Sequence, residues 1–202
     1  VGGNASEARG LGAVAHGVHM AARCSLAQCK PSDEVQHPPH HRAPDDGALP
    51  QLPGVAQRAV TKGGAQAGDM LLLTKPIGTG TVMAAEMAMT RLPAALLGEA
   101  VAATFAAMCQ SNGAASARLA DIAHAMTDVT GFGLGGHLLE ILDASQCAAR
   151  LDAAAIPLLP AAKALAAAGV ASSLAPANRA ASIGRITGSD SPIKALLYDP
   201  QT

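Results

Sequence analysis

Two phenylalanines, one tyrosine and no tryptophan in 202 residues restrict what this chain can fold into more than any other feature. Aromatic side chains bury the most area each, so a chain that has only Phe105, Phe132 and Tyr198 must build its core from aliphatic groups. Alanine is abundant; it favours helix but buries little area per residue, which demands close backbone packing. The same scarcity argues against the stacking surfaces that single-stranded nucleic acid requires. With 14 basic and 15 acidic residues the net charge is -1, so nothing attracts nucleic acid or a membrane surface, and any bound anion must be caught locally.

The length suits one domain, or one domain with a partial companion. Cys24, Cys29, Cys109 and Cys147 show no dense spacing, no signal peptide is visible, and no apolar run reaches the roughly 18 residues of a membrane-spanning helix. A reducing cytoplasm is the expected setting. The chain opens on Val1 and closes on Asp199-Pro200-Gln201-Thr202 with no turn or cap residue after it, and reads as a piece cut from a longer protein.

Residues 1–60 and 61–202 differ in character. The first part holds five of the seven histidines and, from Lys30 to Gly54, a tract of prolines and charges that denies any helical or strand period and reads as a disordered insertion. Gly10 to Cys24 suits a strand or short helix. From Thr61 the pattern sharpens. Met70 to Leu73 is a short apolar run bounded by Gly68-Asp69 and Pro76, predicted to be a buried strand. Helices are expected from Thr81 to Leu92 and from Leu92 to Ala123, the latter broken at Ser111-Asn112-Gly113. His124 to Val129 reads as a second strand, Gly133 to Ala148 as a helix and Cys147 to Ile156 as a third strand. A last helix is opened by Pro157 and closed by Gly169. Strands alternating with helices indicate an α/β (α+β layered) domain.

Asp128 stands among Thr127, Thr130, Gly131 and Gly133 directly before an apolar helix. Mg²⁺ takes oxygen ligands, commonly one or two carboxylates with phosphate and water, and such a loop offers N–H groups and a helix N-terminus to an anion. Asp is also a good N-cap, and the loop alone leaves both readings open. Lys75 follows a strand-like run and precedes Gly78 and Gly80, a composition similar to phosphate-binding loops but without the Walker order; an ordinary strand-turn-helix accounts for it equally. Cys24 and Cys29 with His37, His40 and His41 invite a zinc reading, yet a proline-broken tract would hold four ligands poorly. Cys109 and Cys147 lie in alanine-rich surroundings where a free cysteine is usually a small buried hydrophobe, and His137 reads as a structural histidine.

Leu73–Gly80 (LTKPIGTG), Ala125–Glu140 (AMTDVTGFGLGGHLLE), Ile156–Pro160, Ala177–Ser182 and the closing DPQT occur in an order and spacing that resembles the selenide, water dikinase (selenophosphate synthetase) family, within the aminoimidazole ribonucleotide synthetase superfamily. The resemblance spans about Gly63 to Thr202. It implies conversion of ATP, selenide and water to selenophosphate, AMP and phosphate with Mg²⁺, in a homodimer whose amino-terminal domains pair. It implies a carboxy-terminal domain of mixed sheet covered by helices and Asp128 as a metal ligand; Gly2, Gly3, Asn4, Thr127, Gly131 and Gly133, with Lys75 from its loop composition, are the candidate contacts to ATP and its phosphates.

Departures from the family accompany the resemblance. Its glycine-rich segment with a reactive cysteine or selenocysteine and a nearby lysine, and its further metal-binding aspartates, have no match here, so no nucleophile is carried over to Cys24, Cys29 or Lys30. Residues 20–60 depart altogether, as an insertion or a frame error would. Residues 1–60 are therefore expected to be an amino-terminal remnant and 61–202 a carboxy-terminal domain lacking its last strands. Other readings are another ATP-dependent synthetase of the superfamily, or a non-catalytic nucleotide-binding or dimerisation module.

Overall fold

The structure, a computed structural model, describes residues 24–27, 59–89 and 94–201. Its helices are α1 (Thr79–Met87), α2 (Ala94–Cys109), α3 (Gly113–Leu119), α4 (Gly133–Ser145), α5 (Ala162–Ala167), α6 (Ala175–Ala181) and α7 (Pro192–Leu196). Two strands, β1 (Cys24–Ala27) and β2 (Ala148–Leu151), pair antiparallel from Cys24↔Leu151 to Ala27↔Ala148.

Local chemistry explains most boundaries. The alanine-rich stretch breaks between α2 and α3 as expected, where Gly113 N–H donates to Ser111 Oγ at 3.1 Å. Gln146, left-handed at φ 51°, ends α4, and Gly169 at φ 83° follows α5. Ser191 caps α7 by accepting from Lys194 N–H at 3.1 Å, with Pro192 in the first turn.

The core is aliphatic, as the missing aromatics require. Ile77, Val82, Ala85 and Ala100 join Ile156, Leu159, Ala162, Leu165, Leu196 and Leu197 in one buried cluster. Burying each larger aliphatic side chain contributes about 1.5–3 kcal/mol. Small residues let elements approach: a Cβ placed on Gly78, at φ 117°, would lie 2.6 Å from Ala162 Cβ. Tyr198 is buried, while Phe105 and Phe132 are exposed.

The α/β class stands, although helices dominate and sheet is small among the described residues. Beyond β1 and β2 there is a parallel bridge from Ile77 to Leu158. Ile77 N–H donates to Pro157 O at 3.0 Å, and Leu159 N–H returns a bond to Ile77 O at 2.9 Å.

Four local expectations are corrected. Met70 to Leu73 is not a buried strand: Met70 and Leu72 are 54% and 51% exposed, and the parallel bridge to Leu158 is made further on, at Ile77. His124 to Val129 forms no strand; Met126 N–H bonds Thr61 O at 2.9 Å, but the residues after it make no ladder. The third strand is β2, stopped where the Asp152 carboxylate accepts from Ala154 N–H at 2.9 Å and starts a 3₁₀ turn. The helix expected from Pro157 is α5, which begins at Ala162 because the backbone flanking Leu158 is engaged with Ile77, and α6 and α7 follow it. Cys109 is exposed and Cys147 partly buried, so neither is a fully buried hydrophobe. Gly2, Gly3, Asn4, the Lys30–Gly54 tract, Cys29, His37, His40 and His41 lie outside the described residues. Cys24, the end of the Gly10–Cys24 stretch read as a strand or short helix, opens β1. No helix of the described residues is long and apolar enough to cross a membrane.

Candidate metal and phosphate site

Thr130 is the hub of the loop that carries Asp128. Its carbonyl accepts from Gly133 N–H and from Gln201 N–H, both at 3.0 Å, and its hydroxyl lies 3.2 Å from His137 Nε2. His137 is buried, and its Nδ1 stands 2.9 Å from Glu140 Oε2. A carboxylate only accepts, so Nδ1 donates to Glu140, and Nε2 faces the Thr130 hydroxyl, which can either donate or accept. Glu140 in turn takes a bond from Lys62 Nζ at 2.7 Å. The Lys62 bond, aided by His137 and opposed by partial desolvation, holds the Glu140 carboxyl below its ordinary range. The structural reading of His137 is thus met by a fully partnered ring.

Asp128 is exposed, and its carboxylate makes no hydrogen bond or ion pair among the described residues. The residue preceding α4 is Phe132, with no side-chain cap, so Asp128 is not the N-cap of that helix. Thr127 Oγ1 donates to the Asp128 carbonyl at 3.1 Å. Among the described residues no three His, Cys, Asp or Glu side chains gather where they could hold a metal. Asp128 is thus a lone exposed carboxylate among the described residues; Mg²⁺ commonly takes one or two carboxylates and fills its other positions with water and phosphate oxygens.

The two loop glycines differ. Gly131 has open space where a Cβ would stand, and its carbonyl accepts from Asn178 Nδ2 at 2.8 Å. Gly133, at φ 72°, would put a Cβ 2.7 Å from Leu197 O and 2.8 Å from Asp199 O. Its close approach is to the chain's own tail, and Gly135 N–H donates to Leu197 O at 2.7 Å.

The Ile77–Gly80 loop is likewise occupied from within. Gln201 Oε1 accepts from Gly78 N–H and Thr79 N–H at 2.9 and 3.2 Å, and Gly80 N–H donates to Pro200 O at 3.1 Å. The Asp199 carboxylate, 1% exposed, accepts the Thr81 hydroxyl at 2.8 Å. Burial pushes this carboxyl up from its ordinary value, against the opposing bonds from Thr81, Gln201 and Gly80. The N-terminus of α1 is satisfied by residues 199–201, leaving Lys75, half-buried and without an ion pair among the described residues, as that segment's free cation.

Asp199, Gln201 and Asn178, whose amide also bonds Tyr198 O at 2.9 Å, are the residues that sequence reasoning left without a role. Their signal was a set of polar side chains beside apolar runs at Leu196-Leu197-Tyr198 and Ala175–Ala181.

These features define a class. The family described as "AIR synthase related protein, C-terminal domain" matches residues 66–173, just over half of the chain, and the chain belongs to it. More particularly, the chain is similar to proteins named "Selenide, water dikinase". That of Paraburkholderia xenovorans (strain LB400) is 41% identical over 149 residues, covering 72% of this chain and 41% of that protein. That of Pseudomonas straminea is 42% identical over 145 residues, covering 68% and 38%. That of Shewanella sp. (strain MR-7) is 45% identical over 98 residues, covering 48% and 26%. The chain spans less than half the length of each of these relatives.

Proposed function

We propose that this chain belongs to a selenide, water dikinase, an ATP-dependent phosphotransferase that makes selenophosphate, AMP and phosphate from selenide, ATP and water. The observation that carries this is the exposed, unpaired Asp128 carboxylate on a loop tied at both ends, at Met126 and Thr130, in a chain similar to proteins of that name.

In this reading Asp128 holds Mg²⁺ against the ATP phosphates, with Thr127 and Gly131 beside it. Lys75 and the Gly2, Gly3 and Asn4 segment are further phosphate contacts, and Gly133 serves by seating the loop on the tail. Mg²⁺ bound there would neutralise charge on the phosphate oxygens. The domain boundary is placed near residue 60, and the whole enzyme is taken to be a cytoplasmic homodimer. One carboxylate supplies little of the positioning that phosphoryl transfer needs, so the chain alone is expected to lack synthetase activity.

Isothermal titration of Mg-ATP into the purified chain and its Asp128→Ala variant tests the site. Binding abolished by Asp128→Ala supports it; equal binding by both removes Asp128 from the nucleotide site. A second reading, a non-catalytic nucleotide-binding module, is favoured by the lack of any three-residue metal cluster among the described residues. Selenide-dependent AMP release by the chain would exclude that reading and overturn the expected inactivity.

A further inference from the structure

We propose that His137 is a positioning residue for the Asp128 loop, acting through the Thr130 hydroxyl. The inference rests on the reading of Asp128 as a metal ligand, but its structural basis is independent of that reading. Thr130 is two residues from Asp128, and among the described residues its side chain has one hydrogen-bond partner, His137 Nε2 at 3.2 Å. The ring is held in turn by Glu140 at 2.9 Å and Glu140 by Lys62 at 2.7 Å.

Lys62 lies next to Thr61, whose carbonyl ties the other end of the loop at Met126. The relay therefore joins both anchors of the Thr127–Val129 span to α4. Buried His137, 6% exposed, is held on two sides and has little rotational freedom. A Thr130 hydroxyl fixed by such a ring holds its own carbonyl, which accepts from Gly133 and Gln201, and so sets where the chain leaves Asp128. Positioning a ligand on a rigid support in this way lowers the ordering cost of binding.

The test is amide hydrogen exchange, read by NMR on the full chain, in His137→Gln, Thr130→Val and Thr130→Ser. His137→Gln removes the ring that links Thr130 to Glu140; Thr130→Val removes the hydroxyl with little change of shape; Thr130→Ser retains it. Loss of one such bond should speed exchange at Gly133 and Gln201 about three- to tenfold in His137→Gln and Thr130→Val. Thr130→Ser should behave as wild type, and the amides of Val82 and Ile141 should stay unchanged in every variant. Unchanged exchange at Gly133 and Gln201 in His137→Gln and Thr130→Val overturns the proposal. So does an equal rise at Val82 and Ile141, which would make His137 a general packing residue.

Mn²⁺ binding in the presence of ATP, followed by the Mn²⁺ electron spin resonance signal, supplies the functional arm. Weaker binding in His137→Gln and Thr130→Val but not in Thr130→Ser supports positioning. If Asp128→Ala leaves Mn²⁺ binding unchanged, the metal reading fails, while the exchange result still decides whether His137 sets the loop.

Discussion

Asp199 and Thr81 stand 118 positions apart in the chain and share a 2.8 Å hydrogen bond at the buried N-terminus of α1. A helix N-terminus leaves N–H groups without partners, and α1 has no side-chain cap from its own N-cap residue, Gly78. The tail supplies what the local sequence lacks, so removing it should damage α1 although nothing in α1 changes.

Asp199→Ala is expected to destabilise the fold by about 1–3 kcal/mol, because it strands the Thr81 hydroxyl and buried N–H groups. Urea denaturation against wild type measures this, and a change within error would show that water can replace the tail carboxylate.

Asp199→Asn tests the electrostatics. Burial raises the Asp199 pKa in the folded state, so folding favours its protonated form. That contribution is full below the ordinary value of 3.8 and fades as pH rises through the folded value. Wild-type stability minus that of Asp199→Asn should therefore shrink as pH rises across that window. Paired urea melts at several pH values check it, and a gap that widens with pH would refute the sign.

Glu140 works in the other direction. Its pKa is lowered, chiefly by the bond from Lys62, so its contribution is present above 4.5 and is lost as pH falls through the folded value. Both side chains are partly exposed, at 36% for Glu140 and 46% for Lys62, and the pair should be worth no more than about 0.2–1 kcal/mol. Glu140→Gln should flatten the acid limb of the stability profile slightly, measured by denaturant midpoints between acid and neutral pH.

Gly133→Ala and Gly131→Ala should separate sharply. At Gly133 a Cβ meets Leu197 O at 2.7 Å and the residue has φ 72°, so alanine is expected to cost more than about 1 kcal/mol. Gly131 has open space, and alanine there should stay within about 0.5 kcal/mol. Thermal and urea unfolding of both variants decide it; equal losses would mean the tail yields at Gly133.

Asn178→Ala leaves the Gly131 and Tyr198 carbonyls without their amide donor. A loss of about 1–3 kcal/mol is expected, with faster amide exchange around Gly131 as the local sign that the α6 contact holds the loop. An unaffected loop would limit Asn178 to holding Tyr198.

The sequence by itself determined the kind of core and the run of helices. With so few aromatics the buried cluster had to be aliphatic, and alanine runs punctuated by Ser111-Asn112-Gly113 and Gly169 set helix breaks through backbone preferences that act within a few residues. The words at Leu73–Gly80 and Ala125–Glu140 also pointed to the family. What only the tertiary structure decided are the pairings between distant segments. Ile77 rather than Met70 to Leu73 joins Leu158, which delays the helix start from Pro157 to Ala162. Gln201 satisfies Gly78 across 123 positions, Gly133 turns toward Leu197 and Asp199, and His137 joins Thr130 to Glu140. A short window of sequence shows which donors and acceptors exist, but their partners are chosen when the whole chain excludes water and every buried polar group must find one.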